Sequence, residues 1–240
     1  PDDPAALVDS PDESFVSMGN YVFSTEALLT LLHEDSLDET SKHDIGGDLV
    51  QRLVAAGEAH AYDFSRNIVP GEVPGPSRYW RDVGTVDAYY DAHMDLVSPL
   101  PAFDLYNESW PVHTWFPAAP AAKVGRDPEV GPSSVNDSLL CAGVIVSGAH
   151  VQGSVLSPGV VIEPGASVVG SVLLEGVRVS AGARLQRAII DKNVRIGKNV
   201  KLLQKIDPTI LGGAIITVGE QIIDGSLRRK LDQLKDKLAQ

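Results

Sequence analysis

The sequence contains one cysteine, Cys141, which excludes an internal disulfide framework and is typical of a protein from a reducing compartment. It has no apolar run near about 18 residues and no visible signal peptide, so we predict no membrane span and a cytoplasmic location. Positive charge is also scarce, because 20 Lys and Arg face 32 Asp and Glu and leave a formal net charge of −12. Nucleic acids and anionic membranes select basic surfaces, so this balance argues against both as partners.

The most regular stretch is residues 138–202, which repeat with a period of about seventeen residues. Two columns of aliphatic residues stay aligned through the repeat: Val144, Val160, Val177 and Val194, and Val146, Ile162, Val179 and Ile196. The residues ahead of the first column are Gly143, Gly159, Gly176 and Asn193. Because asparagine tolerates positive φ better than most other residues, this third column predicts a corner in the left-handed conformation.

Such a repeat favours a coil of three short parallel strands per turn, with the aliphatic side chains of each turn stacked on those of the next. Its β-branched residues suit strands and disfavour helices. The alternative is a β-sandwich of short strands, which has no reason to keep its columns in register. The pattern resembles the hexapeptide repeat of left-handed β-helices, and we predict such a coil over residues 134–200.

Three helices are predicted ahead of the coil. Ser24, Asp44 and Thr85 each stand where a helix N-cap is expected, because each precedes a stretch with apolar residues at helical spacing. Gly57 is expected to end the second helix, since glycine adopts the left-handed conformation that closes many helices.

Short strands are expected between these helices, at residues 15–23, 60–64 and 79–83. Strands that alternate with helices indicate an α/β layer, which we assign to residues 1–98. Residues 99–133 contain seven of the sixteen prolines and are interpreted as an extended Pro-rich linker.

Four segments carry a family resemblance. They are SMGNYVF at 17–23, SKHDIGGDLV at 41–50, YWRDVGTVDAYYDAHMDL at 79–96 and WPVHTW at 110–115. With the coil behind them, residues 1–200 resemble the C-terminal half or more of ADP-glucose pyrophosphorylase, the bacterial glucose-1-phosphate adenylyltransferase of glycogen biosynthesis. The resemblance implies part of a nucleotidyltransferase domain joined to a left-handed β-helix, commonly assembled as a homotetramer. It also implies ATP and glucose 1-phosphate as substrates.

The resemblance places Asp82 at one of the family's metal positions, with Mg²⁺ as the implied ion. The chemistry is consistent with that role, because Mg²⁺ offsets the repulsion between a sugar phosphate and ATP and prefers hard oxygen ligands. From the residues alone, a carboxylate that caps the turn before Thr85 is the better explanation of Asp82, and the resemblance reverses this preference.

The resemblance also assigns Ser17, Tyr21, Asp44 and Trp80 to the binding of glucose 1-phosphate. A carboxylate accepts two hydrogen bonds from sugar hydroxyls, and a serine hydroxyl bonds a phosphate oxygen. Without the family, a plain strand explains Ser17 and Tyr21 as well as a binding role does, and packing explains Trp80 equally well. For Asp44 a helix N-cap is the better explanation. Gly47 departs from the family, which often has lysine at that position.

Other parts of the family's active site are not found in this sequence. We find no glycine-rich GGxGxRLxPLT-type loop for the nucleotide phosphates, no FVEKP segment and no second metal carboxylate. One aspartate holds Mg²⁺ poorly by itself, because this ion gives up its waters reluctantly. We therefore expect that the 240-residue chain does not catalyse adenylyl transfer alone.

The last forty residues resemble a different family. The segment IDPTILGGAIITVGEQIIDGS at 206–226, followed by a basic amphipathic helix, is similar to the C-terminus of the δ subunit of F-type ATP synthase. Residues 210–218 and 221–223 are predicted to form a hairpin, and Ser226 is predicted to cap the final helix. The junction near 197–201 indicates a fusion, and the tail over 201–240 is a candidate contact for ATP synthase subunits.

Two other hypotheses stay open at this stage. One is an acyltransferase of the hexapeptide class, with His150 on the coil as a general base, although a lone histidine is more often an exposed corner residue. The other is a structural fragment that forms a homo-oligomer without activity of its own.

Overall fold

Helices and a parallel β-coil make up the part of the chain that the structure describes. The computed structural model describes residues 12–71, 79–115 and 117–202, together with the backbone of 215–218 and 221–224. The chain divides into two compact units, Pro1–Asn67 and Ile68–Gln240.

The first unit contains two helices with the predicted caps. Helix α1 spans Thr25–Ser36, and the Ser24 hydroxyl accepts a hydrogen bond from the amide of Ala27. A π-helical turn, Ile45–Leu49, leads into α2, Val50–Ala56, which ends at Gly57 with a φ of 73°. The apolar side chains of Leu31 and Leu49 are buried. The helix predictions for this unit are therefore confirmed.

Helix α3 of the second unit, Val86–Leu96, is also capped as predicted, with the Thr85 hydroxyl accepting from the amide of Ala88. The three strands predicted ahead of the coil are wrong. Residues 15–23 and 79–83 are extended without strand pairing, and a 3₁₀ turn, Phe64–Arg66, lies where the second strand was expected to end. A strand needs a neighbour for its N–H and C=O groups, and within the described ranges these segments have none.

The coil consists of three parallel sheets, each built from one short strand per turn. Sheet 1 contains β1 Lys123–Asp127, β5 Ile145–Ser147, β8 Val161–Ile162, β11 Arg178–Val179 and β14 Arg195–Ile196, with β2 Gly131–Pro132 antiparallel to β1 at its edge. Sheet 2 contains β3 Ser134–Asn136, β6 His150–Gln152, β9 Ser167–Val169, β12 Arg184–Gln186 and β15 Lys201–Leu202. Sheet 3 contains β4 Leu139–Leu140, β7 Val155–Leu156, β10 Val172–Leu173 and β13 Ile189–Ile190. The linker predicted over 99–133 therefore contains two strands of the coil's first turn.

The interior of the coil confirms the aligned columns. Val146 pairs with Ile162, Ile162 with Val179, and Val179 with Ile196. The side chains of Val146, Ile162 and Val179 are fully buried. The corner column is confirmed as well, with positive φ at every position: Gly143 75°, Gly159 71°, Gly176 70° and Asn193 60°. A three-sided parallel coil is the architecture that the hexapeptide repeat predicts.

Tyr90 fastens α3 to the coil. Its hydroxyl donates a 2.6 Å hydrogen bond to the carbonyl oxygen of Gly170, at the corner between β9 and β10. The guanidinium of Arg187, at the same corner one turn further on, lies 5.3 Å from the centre of the Tyr90 ring. Next to this corner the outward side chain of Val172 is completely buried, although it is not part of the inner core. The contact therefore joins α3 to this corner of the coil.

We expect Tyr90→Phe to lower the stability of the second unit by about 1 kcal/mol, because the change leaves the Gly170 carbonyl without its side-chain donor. Urea denaturation followed by circular dichroism measures the loss. Tyr106→Phe is the matched control, since Tyr106 is 78% exposed. Equal stabilities for the two variants would show that the Tyr90 hydrogen bond adds nothing to the docking of α3.

The backbone of the tail contains the predicted hairpin. Strands β16, Ile215–Val218, and β17, Gln221–Asp224, pair in antiparallel orientation around residues 219 and 220. Residues 210–214 of the first predicted strand and the helix expected from Ser226 lie outside the described residues.

Candidate active site

Three of the predicted sugar-phosphate residues come together in the first unit. The hydroxyl oxygens of Ser17 and Tyr21 are 2.8 Å apart, and the amide of Gly19 donates to the Ser17 oxygen. A Cβ atom added at Gly46 would lie 3.0 Å from the Tyr21 hydroxyl and 3.6 Å from Oδ1 of Asp44. The Tyr21 hydroxyl and the Asp44 carboxylate therefore border the same glycine, and Ser17 joins them through its contact with Tyr21.

Asp44 has the capping geometry that its sequence position predicts. Its Oδ1 accepts a hydrogen bond from the amide of Gly47, and its carbonyl accepts from Asp48 at 2.8 Å and from Leu49 at 3.3 Å. The bond to Leu49 reaches five residues along the chain and widens this turn into a π-helix, a feature often found at functional sites. In the described part of the chain Oδ2 makes no hydrogen bond, so one carboxylate oxygen remains for a ligand.

Gly47 gives the Asp44 carboxylate room to cap the turn. A Cβ atom at this position would lie 3.0 Å from Oδ1 of Asp44, which is tighter than most real contacts of a Cβ atom. A lysine here would therefore require the Asp44 side chain to move by a few tenths of an ångström.

A buried carboxylate supports the segment that leads to Asp44. Asp35, at the end of α1, is 4% exposed and accepts hydrogen bonds from the Ser41 hydroxyl at 2.6 Å and from Arg52 at 3.2 Å. Its other oxygen lies 2.7 Å from Nδ1 of His43, a residue held at a φ of 57°. This network could not be predicted from the sequence, because its members are separated by up to 17 residues and no motif joins them. It fixes the backbone immediately before the candidate site.

The hydrogen bond from Ser41, together with that from His43, holds the pKa of Asp35 below its ordinary value, while burial acts in the opposite direction. A carboxyl whose pKa falls on folding stabilises the folded state above its unfolded pKa of about 4, and this contribution disappears as the pH falls through the folded pKa. We therefore expect the first unit to lose stability progressively below about pH 4.

We expect the Asp35→Asn variant to have a lower melting temperature than the wild type at neutral pH. Its melting temperature should also fall less than that of the wild type as the pH is lowered. Thermal melts between neutral and acidic pH measure both effects. Glu34→Gln changes an exposed carboxyl of the same helix and is the control. An unchanged acid dependence in Asp35→Asn would contradict the role assigned to this network.

The other two predicted residues lie in the second unit, just before α3. Oδ1 of Asp82 accepts a 2.9 Å hydrogen bond from the amide of Gly84, so this carboxylate does cap the turn before the helix. Asp82 is exposed, and one of its oxygens stays free of this turn. Trp80 is 48% exposed, which leaves half of its ring surface available for contact. Tyr79 packs against Phe103 with ring centres 5.0 Å apart and anchors the segment.

The described residues fit a metal ion only in part. Within the described ranges no three His, Cys, Asp or Glu side chains cluster closely enough to hold one. Asp82 supplies a single hard oxygen, which suits Mg²⁺ when phosphate oxygens and water complete its coordination.

A row of polar side chains on sheet 2 was not recognised from the sequence. The row consists of five residues that pair in register from one strand to the next: Ser134, His150, Ser167, Arg184 and Lys201. Their spacing of 16 or 17 residues is the period of the coil and is the signal that could have identified them. His150, the candidate base of the acyltransferase hypothesis, has its Nδ1 2.9 Å from the Ser134 hydroxyl.

Family models match three parts of the chain. Residues 1–98 match the model for the nucleotidyl transferase family, and residues 120–205 match a GlmU-like, C-terminal hexapeptide model. Residues 180–238 match the model for the ATP synthase delta (OSCP) subunit. Together with the fold, these matches define a nucleotidyl transferase region followed by a hexapeptide coil. No helix within the described ranges is both long and apolar enough to cross a membrane.

The chain is similar in sequence to proteins named glucose-1-phosphate adenylyltransferase. Over 164 residues it is 54% identical to the protein of that name from Corynebacterium kroppenstedtii, covering 68% of this chain and 39% of the relative. It is 51% identical over 166 residues to the Corynebacterium jeikeium protein, with 68% and 39% covered. It is 53% identical over 157 residues to the Acidothermus cellulolyticus protein, with 65% and 37% covered. The chain thus spans about two fifths of the length of these relatives.

Proposed function

We propose that this chain carries the sugar-phosphate side of a cytoplasmic glucose-1-phosphate adenylyltransferase that serves glycogen biosynthesis. In this reaction a phosphate oxygen of glucose 1-phosphate attacks the α-phosphorus of ATP, the bond to the β-phosphate breaks, and diphosphate leaves. The 54% identity to a relative of that name supports the activity. The contact of Ser17 with Tyr21 and the approach of Tyr21 and Asp44 to one glycine are the observation that carries the assignment of the site.

Each residue of this cluster has a distinct role in the proposal. The Oδ2 atom of Asp44 accepts hydrogen bonds from sugar hydroxyls while Oδ1 keeps the turn capped. The hydroxyls of Ser17 and Tyr21 are exposed and bond to one another, so each can turn towards a phosphate oxygen. Trp80 is not part of this cluster and lies in the second unit, where its half-exposed ring offers an apolar surface of the kind that sugar rings contact.

Asp82 is proposed as one ligand of Mg²⁺. When bound with the nucleotide, this ion neutralises phosphate charge and orients the reacting groups. The turn bond from Gly84 fixes one carboxylate oxygen and so directs the other outward at the start of α3. A carboxylate held in this way loses less conformational freedom on binding than one on a flexible segment.

The coil is proposed to join copies of this chain into a homo-oligomer. Its last turns support this role, because the apolar side chains of Val194, Val200 and Leu202 are 36%, 43% and 40% exposed there. Sedimentation velocity tests the proposal, and a monomer at all concentrations would contradict it.

The activity is tested by assaying ADP-glucose formation from ATP, glucose 1-phosphate and Mg²⁺. The 240-residue chain is assayed alone and joined behind the N-terminal part of the Corynebacterium kroppenstedtii relative. We expect ADP-glucose from the joined protein. Failure of a folded joined protein to form ADP-glucose, with the intact relative active in the same assay, would overturn the proposal.

Asp44→Asn in the joined protein separates the capping role from the binding role. Asparagine caps helices as well as aspartate, so the turn is retained while the negative charge is lost. We expect the KM for glucose 1-phosphate to rise at least about tenfold, as is typical when a hydrogen bond to a charged group is lost. Glu58→Gln, an exposed acid beyond the end of α2, is the matched control and should leave KM unchanged.

A second candidate function concerns the tail. Residues 180–238 match the ATP synthase delta (OSCP) model, which supports a contact between this tail and other ATP synthase subunits. Co-purification of the chain with ATP synthase from bacterial membranes tests this. A chain ending at residue 202 is the control, and equal recovery of the two chains would remove the candidate.

A further inference from the structure

A cleft of about 350 Å³ lies on the outer surface of sheet 2, and none of the residues assigned to the proposed substrates lines it. Four polar residues of the row line it: Ser134, His150, Ser167 and Arg184. Neighbouring parallel strands are about 4.8 Å apart, so these side chains follow one another over about 14 Å on a rigid surface. At the adjacent corner Gly148 and Gly165 have no side chains to fill the cleft. A volume of this size accommodates a small metabolite.

Within the row, the Ser134 hydroxyl contacts one ring nitrogen of His150. The side-chain amide of Asn136 donates to the Ser134 oxygen at 3.3 Å, and this oxygen lies 2.9 Å from Nδ1 of His150. This contact uses one ring nitrogen of His150. The other, Nε2, is not used by Ser134 and remains for a ligand.

The cleft therefore presents donors without opposing negative charge. The Ser167 hydroxyl and the guanidinium of Arg184 can both donate, and the described lining residues include no Asp or Glu. A guanidinium binds phosphate through two parallel hydrogen bonds, which lysine does not match. A donor-lined cleft with one guanidinium selects an oxyanion.

The charge of the surrounding turns acts in the same direction. Although the whole chain has a net charge of −12, residues 178–201 contain seven basic residues and one acidic residue, Asp191. The basic residues are Arg178, Arg184, Arg187, Lys192, Arg195, Lys198 and Lys201. A local excess of positive charge raises the concentration of anions at this end of the coil.

We propose that this cleft is a binding site for a small molecule carrying a phosphate group, held by Arg184, Ser167 and Nε2 of His150. The proposal uses only residues of the coil and stands independently of the adenylyltransferase activity. Glucose 1-phosphate also carries a phosphate group, so the tests use phosphates other than this sugar phosphate.

Phosphate binding to the 240-residue chain is measured by the broadening of the ³¹P resonance of inorganic phosphate, at ionic strength held constant with sodium chloride. We expect saturable broadening. Arg184→Gln and His150→Gln should each weaken it, the former by at least about tenfold, because a charge-assisted bidentate contact is lost. Circular dichroism spectra and melting temperatures matching those of the wild type confirm that the coil is intact in both variants.

Arg178→Gln is the matched control. It removes the same charge from the same turn of the coil, but Arg178 belongs to sheet 1 and does not line the cleft. We expect its affinity for phosphate to stay within about twofold of the wild type, as for a screened surface charge. Equal weakening by Arg178→Gln and Arg184→Gln, or broadening that does not saturate, would overturn the proposal.

Glycerol 3-phosphate is titrated in parallel to distinguish a phosphate ester from the free ion. We expect the ester to bind at least as tightly as inorganic phosphate, because the cleft has room beyond one phosphate group. Binding of inorganic phosphate together with exclusion of the ester would overturn the assignment to a phosphorylated small molecule.

Discussion

Asp82→Asn is expected to reduce ADP-glucose formation by the joined protein at least about 100-fold, with a higher Mg²⁺ concentration needed for half-maximal activity. Asparagine keeps an acceptor for the amide of Gly84, so the turn before α3 is preserved. The change removes the negative charge that makes this side chain a ligand for Mg²⁺. Initial rates measured over a range of Mg²⁺ concentrations separate a loss of metal affinity from a loss of protein.

Asp91→Asn, in the exposed part of α3, is the control for this prediction. It changes the same charge on the helix that follows the Asp82 turn, and we expect turnover within about twofold of the wild type, as is usual for exposed positions. If Asp82→Asn kept full activity and an unchanged Mg²⁺ requirement, the carboxylate would be only the turn cap that its hydrogen bond to Gly84 already shows.

Leu173→Ala is expected to lower the free energy of unfolding of the coil by about 3 kcal/mol, the middle of the range for buried leucines. Leu173 is completely buried and its strand is paired on both sides, with Leu156 and with Ile190. The backbone hydrogen bonds on both sides limit relaxation into the space left by the missing side chain. Urea denaturation followed by circular dichroism measures the effect.

Ile145→Ala provides the matched comparison on the outer surface. Ile145 is 42% exposed on β5 and belongs to the same coil. We expect a loss below about 1 kcal/mol, since an outward strand position contributes mainly β-propensity. A similar loss for the two variants would contradict the assignment of the coil's stability to its stacked interior.

The coil was predictable to a large extent because its information is local and periodic. The Gly143 column required a left-handed residue at every turn, and Asn193 takes that conformation in the last of them. The helix caps at Ser24, Asp44 and Thr85 were predictable for the same reason, since the cap and the amide that it satisfies lie three residues apart.

Strands outside the repeat were not predictable in this way. Residues 15–23 and 79–83 have β-prone sequences, yet a strand exists only when a second segment supplies its hydrogen bonds. The network around Asp35 also depends on distant parts of the chain, because Arg52 reaches it from another helix.

The sequence by itself determined the repeat, its corners, the caps and the resemblance of residues 17–96 to a sugar-nucleotide enzyme, because each is written in neighbouring residues. Only the tertiary structure decided that Tyr21 and Asp44 border one glycine, that Tyr90 docks on Gly170, and that His150 and Arg184 line one cleft. Contacts of this kind join residues from about 20 to 80 positions apart, and chain folding rather than local preference brings them together.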